Sequence, residues 1–173
     1  MTVIPTIETE RLRLRAAKMS DFDAYAAFRT DPVRTEGVGG PCTRAAAFDK
    51  LAEIIGHWSL RGFGRWMIAD KATDAPLGVA GPYHPDDWPE REIAWSVFAN
   101  AEGKGIAYEA SMASLKYAYE TLGWNTAVSC VTPGNDRSVA LAERMGATRE
   151  DDFTTVDGMV LQVYRHLSPE AFL

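Results

Sequence analysis

Cysteine and histidine are scarce in this sequence. The only cysteines are Cys42 and Cys130, and the three histidines, His57, His84 and His166, are scattered along the chain. Neither residue type has the spacing of a disulfide framework or of a zinc site. We therefore expect neutral thiols and no bound metal.

Long apolar runs and an excess of basic residues are also absent. No apolar run approaches the roughly 20 residues that a membrane helix needs, and residues 1–6 lack the basic start and apolar core of a signal peptide. The sequence thus predicts a soluble, cytoplasmic protein without a membrane partner. Its formal charge of −6 disfavours nucleic acid and suits a cationic or amine-bearing ligand better.

The composition is that of an ordinary globular chain, with 46% hydrophobic and 24% charged residues among 173. A chain of this length can bury most of its apolar surface in one core. No low-complexity stretch or internal repeat divides it. We expect a single domain over residues 1–173.

Hydrophobic periodicity predicts the secondary structure. Alternation over 92–98 is typical of a half-buried strand and places Ile93, Trp95 and Val97 on one face. A helical stripe of Phe48, Leu51, Ile55 and Trp58 is expected to face the core. Strands are predicted over 9–15, 65–69, 77–81, 92–98, 126–132, 153–156 and 159–164, and helices over 20–31, 43–62, 106–122 and 135–146.

The order of these elements predicts an α/β (α+β) fold. We expect a mixed, mostly antiparallel sheet of about seven strands, with helices on both faces. Three local signals set boundaries: Ser20 and Asn135 as helix caps, and Asp157-Gly158 as a two-residue hairpin turn.

The segment Gly103-Lys104-Gly105-Ile106-Ala107 carries the clearest chemical signal. Two glycines before a helix allow the backbone to wrap closely around an anion, which the free amides of the first helical turn can then bind. An ordinary tight turn explains the same residues. A dinucleotide fingerprint would need glycine where Tyr108 stands, and a P-loop would need serine or threonine directly after Lys104, so both motifs fit weakly.

Three segments in this order, 8–15, 102–110 and 135–147, resemble the GNAT superfamily of acyl-CoA-dependent N-acetyltransferases. Within it they resemble the RimJ/RimL-like group, which is related to ribosomal-protein N-terminal acetyltransferases. The first segment is similar to the opening strand of that group, the second to its phosphate loop and the third to its second cofactor motif. The resemblance extends over nearly the whole chain and implies the GNAT fold.

The resemblance implies acetyl-CoA as cosubstrate, inserted beside the strand that precedes the phosphate loop. By position, Val97 would offer its backbone N–H to the thioester carbonyl. The next residue, Phe98, would also contact the cofactor. The side chain of Asn135 would contact the cofactor arm, unless it is only a helix cap. The pyrophosphate would be held by the amides of Gly103, Lys104, Gly105, Ile106 and Ala107.

The resemblance also suggests catalytic residues. Glu92 occupies the place of a carboxylate that removes the amine proton through water, although it could equally be a solvated residue at a strand end. His84, whose ordinary pKa is near neutrality, is the alternative base. The common tyrosine acid would fall at Ala142, so Ser138, which matches a serine near the coenzyme A sulfur, becomes the candidate acid and cofactor contact.

Two positions depart from the family pattern. Glu102 would repel the pyrophosphate unless it points outward or pairs with Lys104, and Ala99 stands where proline is common. The acidic and aromatic loop 84–90 could receive a cationic amine or simply be a solvated surface loop.

These observations predict an enzyme that moves an acetyl group from acetyl-CoA to a primary amine by direct attack, since neither cysteine falls in the cleft motifs. The acceptor could be a protein N-terminus, a free amino acid, a polyamine-like metabolite or an aminoglycoside-type compound. A non-catalytic acyl-CoA-binding or regulatory module is the alternative, supported by Ala142 and Glu102. A nucleotide-binding domain of another fold is a third reading. Monomer and homodimer are both compatible with the sequence.

Overall fold

Nine strands form one continuous sheet in the computed structural model, which describes residues 2–173. Their spatial order is β1-β2-β3-β4-β5-β6-β9-β7, and β8 pairs with β9 beside this path. The strands are β1 (Ile7–Glu8), β2 (Leu12–Arg15), β3 (Trp66–Asp70), β4 (Pro76–Tyr83), β5 (Glu92–Val97), β6 (Val128–Val131), β7 (Thr148–Arg149), β8 (Phe153–Thr154) and β9 (Val160–Arg165).

Neighbouring strands are antiparallel except β5 and β6, which are parallel and pair only at Glu92 and Val128. The predicted mixed, mostly antiparallel sheet is confirmed. The expected count of about seven strands was too low, because β1 and β7 have two residues each and show no periodicity in the sequence. The predicted strand 9–15 begins only at Leu12, after a tight turn in which the Thr9 N–H donates to the Leu12 carbonyl at 3.0 Å.

Helices cover both faces of the sheet. The helices are α1 (Phe22–Thr30), α2 (Arg44–Arg61), α3 (Ile106–Glu120), α4 (Asp136–Arg144) and α5 (Pro169–Phe172). In β3, Met67 packs in the core under α1 and α2, whereas its neighbours Trp66 and Ile68 pack in the core under α3. This alternation places the two helical layers on opposite faces.

Local signals account for most helix ends. The Thr43 side chain accepts the Ala46 N–H at the start of α2, and Gly62 ends that helix in the left-handed region. The predicted Ser20 cap was wrong: α1 begins at Phe22 after a short 3-10 turn. The reason is tertiary, because that turn holds Asp21, whose buried carboxylate pairs with the Arg15 guanidinium at 2.8 Å.

The buried face of α2 differs from the predicted stripe. Leu51 and Trp58 are buried as expected, but Phe48 and Ile55 are 47% and 41% exposed, and Ala47 and Ile54 take their places in the core. Both sets have helical spacing, so the sequence pattern alone does not choose between them. The choice is made by packing against α1 and the sheet.

Candidate active site

The parallel strands β5 and β6 diverge immediately after their single pairing, which leaves an opening in the sheet. The Phe98 N–H donates to the Leu77 carbonyl of β4 at 2.8 Å. Amides alternate in direction along an antiparallel pair. The N–H of Val97, which lies opposite Gly78, is therefore directed away from β4 and into the opening.

Two adjoining cavities of about 390 and 550 Å³ occupy this opening. We call them the Glu92 cavity, which contains Glu92, and the loop cavity, which contains Val97, Glu102 and Ala107. Seven residues line both: Phe28, Gly37, Val38, Trp95, Ser96, Asn135 and Ser138. The two cavities are thus two ends of one cleft that runs through the opening between β5 and β6.

Glu92 is a buried carboxyl group at the base of the opening, with 4% of its surface exposed. Its Oε2 accepts the Cys130 backbone N–H at 2.7 Å. Burial raises the pKa of Glu92 to about 7, and the hydrogen bond from Cys130 only partly opposes this effect. Glu92 is therefore not a solvated strand-end residue but a group that can gain or lose a proton near neutral pH.

His84, the alternative base, lines neither cavity. Its backbone N–H donates to His57 Nε2 at 3.1 Å, and burial lowers the pKa of its imidazole. The loop 84–90 contributes Trp88 to the Glu92 cavity, next to Tyr83. Trp88 is the aromatic residue of the loop that the sequence marked, whereas Tyr83 did not stand out in the sequence.

Cys130 lines the Glu92 cavity, although it falls outside the cleft motifs of the sequence. The cleft motifs did not include it because it lies on β6, which carries no motif. Burial and the neighbouring Glu92 carboxyl raise the pKa of the Cys130 thiol well above its usual range. The thiol stays protonated and is a poor nucleophile.

The glycine loop has the backbone geometry expected of an anion site. Gly103 and Gly105 have φ values of 69° and 74°, a region that favours glycine. The first hydrogen bond of α3 runs from the Glu109 N–H to the Gly105 carbonyl at 3.1 Å, so the amides of Ile106 and Ala107 precede it. Of the predicted phosphate-binding residues, Ala107 lines the loop cavity; four others do not line it, namely Gly103, Lys104, Gly105 and Ile106.

Glu102 is neutralised by two arginines rather than by Lys104. Its carboxylate pairs with Arg34, from the segment between α1 and α2, and with Arg137 of α4 at 3.1 Å. The Lys104 ammonium instead donates to the Asn100 carbonyl at 2.7 Å. Both cations that line the loop cavity, Arg34 and Arg137, are therefore engaged by Glu102, and Glu36 and Asp136 add two further carboxylates to its lining.

Asn135 and Ser138 lie where the two cavities meet. Asn135 Oδ1 accepts the Ser138 N–H at 3.3 Å, so Asn135 caps α4 and also faces the cleft. Ser138 Oγ accepts the Trp95 Nε1–H at 3.2 Å, which leaves the hydroxyl proton free to be donated. Gly37 approaches so closely that a Cβ there would collide with the Asn135 side-chain amide.

Phe98 lies outside the cleft. Its ring packs against Phe28 with ring centroids 5.4 Å apart, and its N–H is already donated to Leu77. The odd-even alternation of β5 directs it to the core under α1, opposite to Val97. Ala142 is fully buried in the core under α4. Its methyl group offers no hydroxyl that could act as the acid.

Comparison with known proteins identifies the family of this chain. Residues 11–148 match the acetyltransferase (GNAT) domain family. The chain belongs to the GNAT acetyltransferase family. It is therefore an acetyl-CoA-dependent acetyltransferase, with the mixed sheet and the opening described above.

Several relatives match almost the entire chain. This chain is 30% identical over 165 residues to the uncharacterized N-acetyltransferase p20 of Bacillus licheniformis, and the match covers 92% of this chain and 93% of that protein. An acetyltransferase structure from Agrobacterium tumefaciens has 39% identity, 95% coverage of both chains and a TM-score of 0.86. A ribosomal-protein-S5-alanine acetyltransferase from Vibrio fischeri has 14% identity, coverage of 96% and 98%, and a TM-score of 0.71, a likeness of fold alone.

Residues 2–173 show neither a metal-ligand cluster nor a membrane-spanning helix. The described residues contain no group of three or more histidine, cysteine or acidic side chains placed to hold a metal ion. None of the helices in that part of the chain has the length and apolar character of a membrane span.

Proposed function

We propose that the protein acetylates a primary amine by direct attack of the amine nitrogen on the thioester of acetyl-CoA. The observation that carries this proposal is the position of Glu92, a buried carboxyl with a pKa raised to about 7, at the base of the opening between β5 and β6. A base with this pKa accepts a proton efficiently at neutral pH.

The residues of this chain fit the cosubstrate, which supplies an activated acetyl group as a thioester. Val97 has a free N–H in the opening, and Asn135 and Ser138 face the same space. We assign the pyrophosphate to the amides at the start of α3, with Gly103, Lys104 and Gly105 shaping the turn. Phe98 is not included, because its N–H and ring are already engaged.

Each proton and charge in the transfer has an assigned group. Glu92 takes the proton of the attacking amine, either directly or through one water molecule. The Val97 N–H donates to the carbonyl oxygen, where negative charge grows as the C–N bond forms and the C–S bond breaks. Ser138 Oγ donates its proton towards the departing sulfur and regains a proton from solvent, while the proton taken by Glu92 is released to solvent. The thiolate of coenzyme A is a good leaving group, so a weak acid suffices.

Direct attack is favoured over a covalent acetyl-enzyme. Cys130 is the only thiol that lines the cleft among the described residues, and the raised pKa of its side chain keeps it protonated.

Both ends of the described chain belong to the same fold, since β1 pairs with β2 and the Phe172 ring packs on the Tyr119 ring with centroids 5.7 Å apart. We therefore propose one domain over residues 1–173.

The test is calorimetric titration with acetyl-CoA, coenzyme A, NADH and ATP, followed by a thiol-release assay with a panel of amines. Selective binding of acetyl-CoA and thiol release that depends on one amine are expected. Binding without turnover of any free or peptide amine would instead support the non-catalytic module that Ala142 suggests. Equal binding of ATP or NADH would contradict the cosubstrate assignment.

A further inference from the structure

The Glu92 cavity contains a buried cation that has no counter-ion among residues 2–173. Arg29, in the last turn of α1, is only 9% exposed and lines this cavity. Its Nε atom is enclosed and makes no hydrogen bond. The guanidinium carbon lies 5.9 Å from the centroid of the Phe28 ring, and no carboxylate of residues 2–173 forms an ion pair with it. An unpaired buried charge is costly, so proteins rarely keep one without a ligand for it.

The other charged groups of the cavity do not compensate Arg29. Arg65 stacks on the Tyr83 ring at 4.1 Å and pairs with Glu53 at 3.4 Å. The Tyr83 hydroxyl also donates to Glu53 at 3.2 Å, which completes a locally neutral cluster. Lys50 adds a further cation to the lining. Within a chain of net charge −6, this end of the cleft is thus rich in positive charge.

The cosubstrate does not account for Arg29. The anionic groups of acetyl-CoA are phosphates. The glycine loop assigned to them borders the loop cavity, which Arg29 does not line. The reacting end of acetyl-CoA is uncharged. The anion that neutralises Arg29 must therefore belong to the acceptor.

We propose that the acceptor amine also carries a carboxylate, which Arg29 binds while Glu92 faces the amino group. The inference rests on the proposed function, because it takes the Glu92 cavity as the acceptor site. A guanidinium fork matches a carboxylate in a bidentate geometry. One carboxylate also matches one buried guanidinium without a counter-ion. A phosphate dianion would call for a second buried cation, but Arg65 is already engaged and Lys50 is only half-buried. Amino acids and their close derivatives are the predicted class.

The test compares matched acceptors and matched variants. Thiol release is measured with the common L-amino acids and with the carboxamide of each, for the wild type, Arg29→Met, Arg29→Lys and the control Arg61→Met, which removes an exposed cation outside both cavities. We expect the wild type to favour the carboxylate over the amide by at least about 30-fold in kcat/KM. Arg29→Met should lose this preference, Arg29→Lys should retain part of it, and Arg61→Met should match the wild type.

A binding measurement separates this inference from the proposed reaction. Calorimetry with N-acetyl amino acids and their amides, in the presence of coenzyme A, reports the carboxylate site without any turnover. Binding that is selective for the acid and lost in Arg29→Met supports the site even if no amine is acetylated. Turnover of amides as fast as acids, or an unchanged preference in Arg29→Met, would overturn the carboxylate site and leave acetyl transfer standing. Absence of both turnover and product binding would also overturn it.

The stability of the variant provides a check on a purely structural role. Removing an unpaired buried charge should not destabilise the fold, so Arg29→Met is expected to unfold at the wild-type temperature or above it. A clear fall in Tm together with unchanged acid preference would show that Arg29 serves the fold and not the acceptor.

Discussion

The carboxylate of Glu92 accepts the backbone N–H of Cys130 at 2.7 Å, at the point where β5 and β6 stop pairing. This hydrogen bond crosses the base of the opening. It holds one oxygen of the carboxylate, while burial raises the pKa of the group to about 7. A side chain that would otherwise be a permanent anion is thereby kept ready for proton transfer.

Replacing this base should lower the rate of transfer. We expect Glu92→Gln to reduce kcat by roughly 10² to 10⁴, the usual contribution of a general base. The rise of kcat/KM with pH through about 7 should disappear with it, because that rise reports loss of the Glu92 proton. The affinity for acetyl-CoA, measured by calorimetry, should be unchanged. Glu90→Gln is the matched control, since Glu90 pairs with Arg165 outside the cleft. An unaltered pH profile in Glu92→Gln would show that Glu92 is not the base.

The same substitution should alter how stability depends on pH. The pKa of Glu92 is higher in the native protein than its usual 4.5, so the native state binds more protons between pH 4.5 and about 7. Its contribution to the free energy of unfolding therefore falls as pH rises through this window. Relative to the wild type, Glu92→Gln should gain roughly 3 kcal/mol across it, at 1.36 kcal/mol per pKa unit.

Urea denaturation at several pH values measures this difference. Glu90→Gln should differ from the wild type by a constant amount across this window, because the hydrogen bond from Arg165 lowers the pKa of Glu90 and its carboxylate is ionised in both states above pH 4.5; the difference shrinks only as pH falls below 4.5. Parallel curves for the wild type and Glu92→Gln would contradict the raised pKa.

Ser138 should contribute less than Glu92. Ser138→Ala removes the hydroxyl that faces the cleft and leaves Trp95 Nε1 without its acceptor. We expect kcat to fall by about tenfold with little change in the KM for acetyl-CoA, because a hydroxyl is a weak acid and the leaving thiolate is stable. Trp95→Phe, which removes the indole N–H instead, controls for the hydrogen bond itself. An equal loss of rate in both variants would make Ser138 a positioning residue rather than the acid.

Glu102 should limit the affinity for acetyl-CoA by occupying two arginines. Glu102→Gln releases Arg34 and Arg137 at the mouth of the loop cavity. We expect the Kd for acetyl-CoA to fall by about twofold to fivefold, in line with the strength of exposed ion pairs, and to depend more steeply on salt. Glu120→Gln, which removes an exposed carboxylate paired with Lys116 on α3, is the control. Weaker binding by Glu102→Gln would show that Glu102 organises the site.

Two glycine-to-alanine substitutions should have different effects, because a Cβ at Gly37 would collide with the Asn135 side chain whereas a Cβ at Gly56 would meet no other atom within 4 Å. Gly37→Ala forces the Asn135 side chain to move, so the KM for acetyl-CoA should rise several-fold. Gly56→Ala, in the interior of α2, meets nothing within 4 Å and should stabilise the protein by about 0.5 to 1 kcal/mol without affecting kinetics. Thermal unfolding and steady-state assays on both variants measure these effects. Normal kinetics in Gly37→Ala would argue against a role for Asn135 in cofactor binding.

Local sequence signals predicted most of the fold. Alternation located β5, glycine ended α2 at Gly62, and Asp157-Gly158 marked the turn between β8 and β9. The features that escaped prediction depend on distant residues. Two-residue strands such as β7 exist only because β9 lies beside them, and the buried face of α2 was chosen by α1.

The candidate site divides in the same way. The glycine loop and Asn135 were recognisable from local patterns, because backbone freedom and helix capping involve residues close in sequence. The sequence suggested Glu92 only as one of two bases, and it contained no signal for Arg29.

The sequence by itself thus determined the order of elements, the loop and the family resemblance. Only the tertiary structure decided which charges are buried, which partners they find and which are left unpaired. The physical reason is that desolvation and pairing depend on atoms brought together from β5, β6 and α1, which are far apart along the chain.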